Sequence, residues 1–262
     1  DHLQGLPFFA PLYNPNSDVR LHAGHRAGDK YDLHGIIGTM LMKDPVFPVP
    51  SALIEKACSF NDYDCGHVFT LDGGIVIKTG QLNHPNGACG YRIEFADKVI
   101  AICTDTEHFE NRIDENVVEL AQDADLMVYD SAYTDQEYPN FKGWGHSTWQ
   151  EALKVAEAAN VKQTFLFHHD PSHNDDKMDE IAKEVSSIRG GVRPANEGET
   201  DTVEVFCFFL LSGIEVIEGR RVGQNISHHS RTLLVNHQTV RFGMEKKIPI
   251  PMYSRIEPIF RI

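Results

Sequence analysis

The sequence predicts an α/β fold, and three stretches carry that expectation. Between Phe60 and Cys103, apolar residues run or alternate in four short blocks, Val68 to Leu71, Ile75 to Thr79, Tyr91 to Phe95 and Val99 to Cys103, with Asp72-Gly73-Gly74 and Ala96-Asp97 as turns. This is the pattern of a β-meander. From Asp114 to Ile188 the rhythm changes to helix, strand, helix, strand, helix. Within it the apolar run at Phe165 to Phe167 stops abruptly at His168-His169-Asp170, and Pro171 forbids the strand from continuing. Imidazoles and carboxylates at the carboxyl end of a buried strand occupy the place where α/β proteins hold their chemistry.

The totals bound the protein class. At 262 residues with 41% apolar content, the chain can bury one substantial core or two small ones. Its longest apolar run, Val205 to Leu211, falls far short of the ~20 residues that a membrane span needs. No basic segment followed by an apolar one opens the chain, and the five cysteines form no Cys-x-x-Cys pair, so reduced thiols and a cytoplasmic setting are expected. The net charge of -14 disfavours unspecific binding to nucleic acid. That charge is uneven. Residues 220–262 carry eight lysines and arginines against two acids, a net of +6 that leaves -20 for residues 1–219. Fourteen histidines raise the expectation of a metal site.

In chain order, Asp1-His2 precedes an apolar helical turn and reads either as two metal ligands or as a cap followed by a histidine. Asn14 to Asp18 is a turn, and Leu21 to His34 is polar with no clear period. Ile36 to Met42 suits a short helix, followed by a proline-rich loop to Pro50. After the meander, Asp114 caps a helix through about Gln122, and Leu126 to Tyr129 is a buried strand ending at Asp130-Ser131. Ser147 and Gln150 have the spacing of a capping box, so the next helix starts there and runs to about Asn160. Strand Gln163 to Phe167 and helix Asp175 to Ile188 follow, then a polar loop over Gly190 to Thr202. Val203 to Leu211 and Ile214 to Ile217 read as strands, and the remainder is basic and weakly patterned.

Residues able to bind a metal thus stand just past strand ends or at helix starts: Asp1, His2, His84, Asp105, His146 and His168. Each alone is an ordinary turn or capping residue. Together they suit a pair of divalent cations, which needs a carboxylate bridge and imidazoles in the outer positions.

The segments Asp-His-Leu-Gln-Gly-Leu-Pro at 1–7, Leu-Asn-His-Pro-Asn-Gly-Ala-Cys-Gly-Tyr-Arg-Ile-Glu at 82–94, Thr-Asp-Thr at 104–106, Gly-His-Ser-Thr at 145–148 and Leu-Phe-His-His-Asp-Pro at 166–171 resemble those of the metallo-β-lactamase-fold hydrolases. Within that superfamily they are most similar to the RNase Z-like phosphodiesterase branch, over roughly residues 1–190. The resemblance implies an αββα sandwich lacking its first strands. The superfamily's leading His-x-His-x-Asp-His motif survives only as Asp1 and His2, so the chain is expected to be truncated at its N-terminus or to have lost half of its site. The resemblance also implies Asp1, His2, Asp105 and His168 as one complete cation position, with His84 and the bridging Asp105 left at the second. His169 competes with His168, which stands directly after the strand. Asp1 would serve catalysis as well as metal binding, and His146 would be the proton donor to the leaving oxygen, oriented by Asp130.

These expectations combine into a zinc-dependent hydrolase, two ions per complete site, with Mn2+ or Fe2+ as other metals the donors accept. Its substrate would be a cyclic nucleotide or another small phosphodiester, with nucleic acid less favoured, no membrane partner, and a homodimer left open. The domain would occupy residues 1–219, with residues 220–262 as a basic extension. Two other readings remain. The same fold supports lactone or thioester hydrolysis, and a chain short of two ligands would suit a non-catalytic metal-binding protein. Trp144, beside the Gly-His-Ser-Thr segment, could offer a stacking face to a base. His22, His25, His34, His67 and His108 read as structural or surface residues, and Cys89 and Cys103 as small core residues.

Overall fold

A computed structural model describes residues 3, 5–25, 31–85, 87–196, 200–204 and 239–243. Asp1, His2, most of the basic stretch 220–262 and the expected strands beyond Glu204 lie outside the described residues.

The core is a seven-stranded sheet in the order β3-β4-β5-β6-β7-β8-β9. Its first half is the expected meander: β3 (Val68–Leu71), β4 (Ile75–Leu82), β5 (Ala88–Phe95) and β6 (Lys98–Cys103) pair antiparallel. Its second half is parallel, β6 to β7 (Leu126–Asp130) to β8 (Gln163–Phe167) to β9 (Val192–Pro194). Parallel neighbours require crossovers, which helices α2 (Glu115–Ala121), α3 (Trp149–Ala158) and α4 (Asp175–Ile188) supply in turn. These helices bury Val117, Leu120, Trp149, Val155, Ile181 and Val185 against Met127, Tyr129 and Leu166 of the sheet. Each fully buried aliphatic side chain contributes about 1.5–3 kcal/mol, so the parallel half is the stable platform.

Two further strands, β1 (Val19–His25) and β2 (Cys58–Asp64), pair in parallel as a separate sheet. On one side Leu21, Ala23 and Val19 join a core with Leu33 of the short α1 (Leu33–Ile36) and with Ile37 and Ile54. On the other side Tyr63 and Cys65 join Ile77, Cys89 and Tyr91 of the large sheet. Two sheets face each other, with helices behind the larger one. Gly24 permits a close approach: a side-chain carbon there would lie 2.8 Å from the Cys89 sulfur. Strands β10 (Thr200–Glu204) and β11 (Thr239–Gly243) form an antiparallel pair, so part of the basic stretch is strand. No helix among the described residues is long and apolar enough to cross a membrane.

Three expectations need correction. The segment 21–34, read as patternless, contains most of β1, whose buried Val19, Leu21 and Ala23 alternate with Arg20, His22 and Gly24. The polar loop expected over 190–202 contains β9, three residues long and paired to β8. The cap of α3 is Thr148 rather than Ser147. The Thr148 hydroxyl oxygen accepts from the Glu151 N–H at 3.2 Å and donates to Asp135 at 2.7 Å. Ser147, fully buried, bonds instead with His108 at 3.0 Å. The capping-box spacing recurs one residue later as Thr148 and Glu151, and the chain uses that one.

Thr148→Ala is expected to lower the unfolding free energy by about 1–2 kcal/mol, the loss typical of an N-cap. Urea denaturation with far-ultraviolet circular dichroism measures it, and an unchanged midpoint would return the cap to Ser147.

Candidate functional site

The site follows from strand direction. Strands β6, β7 and β8 are parallel, and β4, two antiparallel steps from β6, points the same way. Their carboxyl ends therefore open on one edge of the sheet. His84 follows β4 by two residues, Asp105 follows β6 by two, Asp130 closes β7, and His168 follows β8 directly. His146 enters the same edge from the loop ahead of α3.

Ligand-capable atoms of Asp105, Asp130, His146 and His168 all lie within 4.8 Å of one another. His168 Nε2 stands 2.8 Å from Asp105 Oδ1, and the His146 and His168 rings stack at 4.5 Å between centroids. The His84 ring meets that of His146 at 5.8 Å and 65°. His169 is not in the group; it is partly buried, and burial lowers its basicity. Asp105 and His168 both hold left-handed backbone, φ 52° and 63°. Such conformations cost free energy in residues other than glycine and concentrate where surrounding structure imposes them for function.

The four differ in how their atoms are engaged. Asp130 is 0% exposed, and both of its oxygens are saturated. Oδ1 accepts from the Ala132 N–H at 3.2 Å and the Ser147 N–H at 3.3 Å, while Oδ2 accepts from the Thr106 N–H at 3.1 Å and meets His146 Nδ1 at 2.8 Å. A carboxylate so occupied orients its histidine rather than reaching for a cation. A carboxylate can only accept, so the hydrogen on His146 Nδ1 faces Asp130 and Nε2 is the ring nitrogen directed away from it. Within this group Asp105 and His168 offer a carboxylate and an imidazole, with the carboxylate-oriented His146 beside them, a donor chemistry that suits a divalent cation of the zinc class.

Glu107 holds these parts in register, and its role is absent from sequence-level expectations. It is 8% exposed and has three donors around its carboxylate: the Gly143 N–H at 2.7 Å, the Tyr138 hydroxyl at 2.7 Å and the Gly145 N–H at 2.9 Å. Burial acts to raise its pKa, but these donors outweigh burial and hold it below the usual carboxylate range. Its backbone is clasped to Asn83, whose side chain donates to the Glu107 carbonyl at 2.7 Å and whose carbonyl accepts the Glu107 N–H at 2.7 Å. Glu107 therefore connects the His84 strand end, the Asp105 strand end and the loop that leads to His146. The donors to its carboxylate lie 31 to 38 residues away in sequence, so no local spacing signals it.

Gly145 is required by the same packing. Its φ is +92°, and a side-chain carbon would overlap His84 Cδ2 and lie 2.7 Å from His84 Nε2 and from Pro85 Cδ. The histidines expected to be structural or surface residues make packing or surface contacts where described. His108 packs against Tyr138 at 4.2 Å with the rings tilted by 43°, His22 stacks on Phe69 at 4.8 Å, and His34 bonds to Glu55 at 3.1 Å. His67 stacks on Tyr63 at 5.6 Å. Cys89 and Cys103 are buried and take part in no disulfide among the described residues.

Comparison with known proteins gives a consistent placement. A family model described as a beta-lactamase superfamily domain matches residues 1–169. A ribonuclease Z from Anoxybacillus flavithermus is 29% identical over 132 residues, covering 50% of this chain and 38% of that protein. The chain thus spans about two fifths of the length of that relative. Among solved structures, the metallo-beta-lactamase fold protein YhfI from Bacillus subtilis matches with a TM-score of 0.53 at 16% identity, covering 74% of this chain and 70% of that one. A diphosphatase of the PhnP family matches with a TM-score of 0.52 at 18% identity, covering 74% and 64%. At these identities the two structures speak for the fold alone. The sheet order, the edge on which the donors meet and the family match over residues 1–169 agree, and the chain belongs to the beta-lactamase superfamily with a metallo-beta-lactamase fold.

Proposed function

We propose that the chain is a metal-dependent hydrolase of phosphodiester bonds, acting on a cyclic nucleotide or another small phosphodiester. The observation that carries this reading is the Asp130–His146 pair, 2.8 Å apart and stacked against the donor His168. Asp105 and His168 would hold one cation, with Asp1 and His2 as its further ligands from the segment outside the described residues, and His84 with Asp105 would be what is left at a second position. A bound divalent cation supplies Lewis acidity and lowers the pKa of water. Asp130 keeps the His146 ring fixed with Nε2 directed away from the carboxylate, where it can carry a proton to the departing oxygen. The acidic character of residues 1–219 favours a small substrate over a long polyanion. We place the hydrolase domain in residues 1–219 and treat residues 220–262 as an extension to it. Similarity to ribonuclease Z supports phosphorus over carbon as the centre attacked.

Zinc-loaded protein is expected to turn over bis(p-nitrophenyl) phosphate, and removal of the metal with a chelator to abolish turnover until zinc is restored. His168→Ala should lose both bound zinc by elemental analysis and turnover. Asp130→Asn should retain zinc and lose about 10²-fold or more in kcat, as expected for a misoriented general acid. Turnover of a lactone or thioester with none of the phosphodiester would overturn the proposal. For Gly145→Ala, the overlap with His84 predicts a fall of at least tenfold in kcat/KM, since small displacements of positioned groups are costly; unchanged kinetics would show that His84 can move aside freely.

A further inference from the structure

The loop 141–146 has a feature that metal binding and proton transfer leave unused. Trp144 is 63% exposed, while the second tryptophan of the sequence, Trp149, is 2% exposed. An indole left in water forgoes about 2–3 kcal/mol of burial that a large side chain can supply, and loose side chains at loop tips lose entropy when ordered. The backbone around Trp144 is nevertheless fixed, and one ring holds its indole. The residues flanking it, Gly143 and Gly145, both donate their N–H to Glu107. Its own N–H donates to the Phe141 carbonyl at 3.1 Å. Its ring meets Phe141 edge-on at 5.5 Å and 85°. Phe141 stacks on the buried Tyr133 at 4.4 Å and 5°, and Tyr133 meets the His146 ring at 6.4 Å. A continuous row of rings thus leads from His146 to an exposed indole. The loop is tied down at its far side by the Lys142–Glu110 ion pair.

We infer that Trp144 is a preformed stacking platform for a nucleobase of the substrate, one loop residue away from Gly145 and the His84 contact. Indole offers the largest aromatic face among side chains, and base stacking tolerates any base because every base has a π face. Because Glu107 and Phe141 fix the loop beforehand, little ordering cost is left to be met on binding. Trp144 would position substrate; the reacting atoms stay with His146 and the donors Asp105, His84 and His168. This inference rests on the proposed phosphodiester chemistry for its phosphate end. The shared chemistry, a base next to a phosphate, could come from a free nucleotide or from an RNA end.

The test uses the full chain loaded with zinc, with adenosine 5′-monophosphate and ribose 5-phosphate as matched probes that differ only by the base. Adenosine monophosphate should quench the exposed tryptophan's emission saturably, and ribose 5-phosphate should not. By calorimetry, Trp144→Ala should weaken adenosine monophosphate about tenfold or more and leave ribose 5-phosphate unchanged, whereas Trp144→Phe should stay within about threefold of wild type. Equal quenching by the two probes, or an alanine variant that binds adenosine monophosphate as wild type does, would overturn the platform. A short oligoadenylate separates the two sources: tighter binding than the mononucleotide marks an RNA end, equal binding a free nucleotide. Base-selective quenching without phosphodiester turnover would leave the platform standing and sink the hydrolase; turnover without base selectivity would do the reverse.

Discussion

Everything at the site depends on four strands running in one direction. Strands β4, β6, β7 and β8 all finish on the same edge of the sheet, so residues far apart in sequence arrive within a few ångströms of one another. Had any of the four run the other way, its polar terminus would lie at the opposite edge. The register sets the fine position. Cys103 pairs with Tyr129 and Tyr129 with Leu166, so the three parallel strands end nearly level. The residues just beyond, Asp105, Asp130 and His168, can then converge. The helices contribute indirectly, by making the parallel half of the sheet rigid.

On that edge, two buried carboxylates do the holding. Burying a charge is costly unless hydrogen bonds compensate it, and both Asp130 and Glu107 are compensated mainly by backbone N–H groups of loops that need to be fixed. Each carboxylate thereby determines a loop conformation. Asp130 fixes the entry to α3 together with the His146 ring, and Glu107 fixes the two residues that flank Trp144. Removing either carboxylate would release several peptide groups at once, so effects there should exceed those of losing one hydrogen bond.

Much of the scaffold was legible in the chain. Strand β8 and helix α4 have the expected limits, Gln163–Phe167 and Asp175–Ile188, because abrupt polar boundaries, Pro171 and the Asn174 cap mark them. The meander was visible because each strand is bounded by a turn. Strand β1 was hidden, since its partner β2 lies some forty residues on and its last turn is built of Ala23, Gly24 and His25, which carry little hydrophobic signal. The convergence of His84, Asp105, His146 and His168 came from the resemblance to a known family more than from any local pattern. Glu107 had no sequence signature, because its partners, the amides of Gly143 and Gly145, belong to the backbone and identify no residue type. The choice between Ser147 and Thr148 as cap turned on His108 and Asp135, both distant in sequence, which claim the two hydroxyls.

The central claim is that Asp105 and His168, brought together by parallel strand ends, are ligands to one divalent cation. X-ray absorption at the zinc edge of the zinc-loaded chain tests it most directly. A nitrogen and oxygen shell near 2.0–2.1 Å with imidazole outer-shell scattering, lost in His168→Ala and altered in Asp105→Asn, is the predicted result. A sulfur shell near 2.3 Å, or a spectrum unchanged by both substitutions, would place the metal elsewhere and contradict the account.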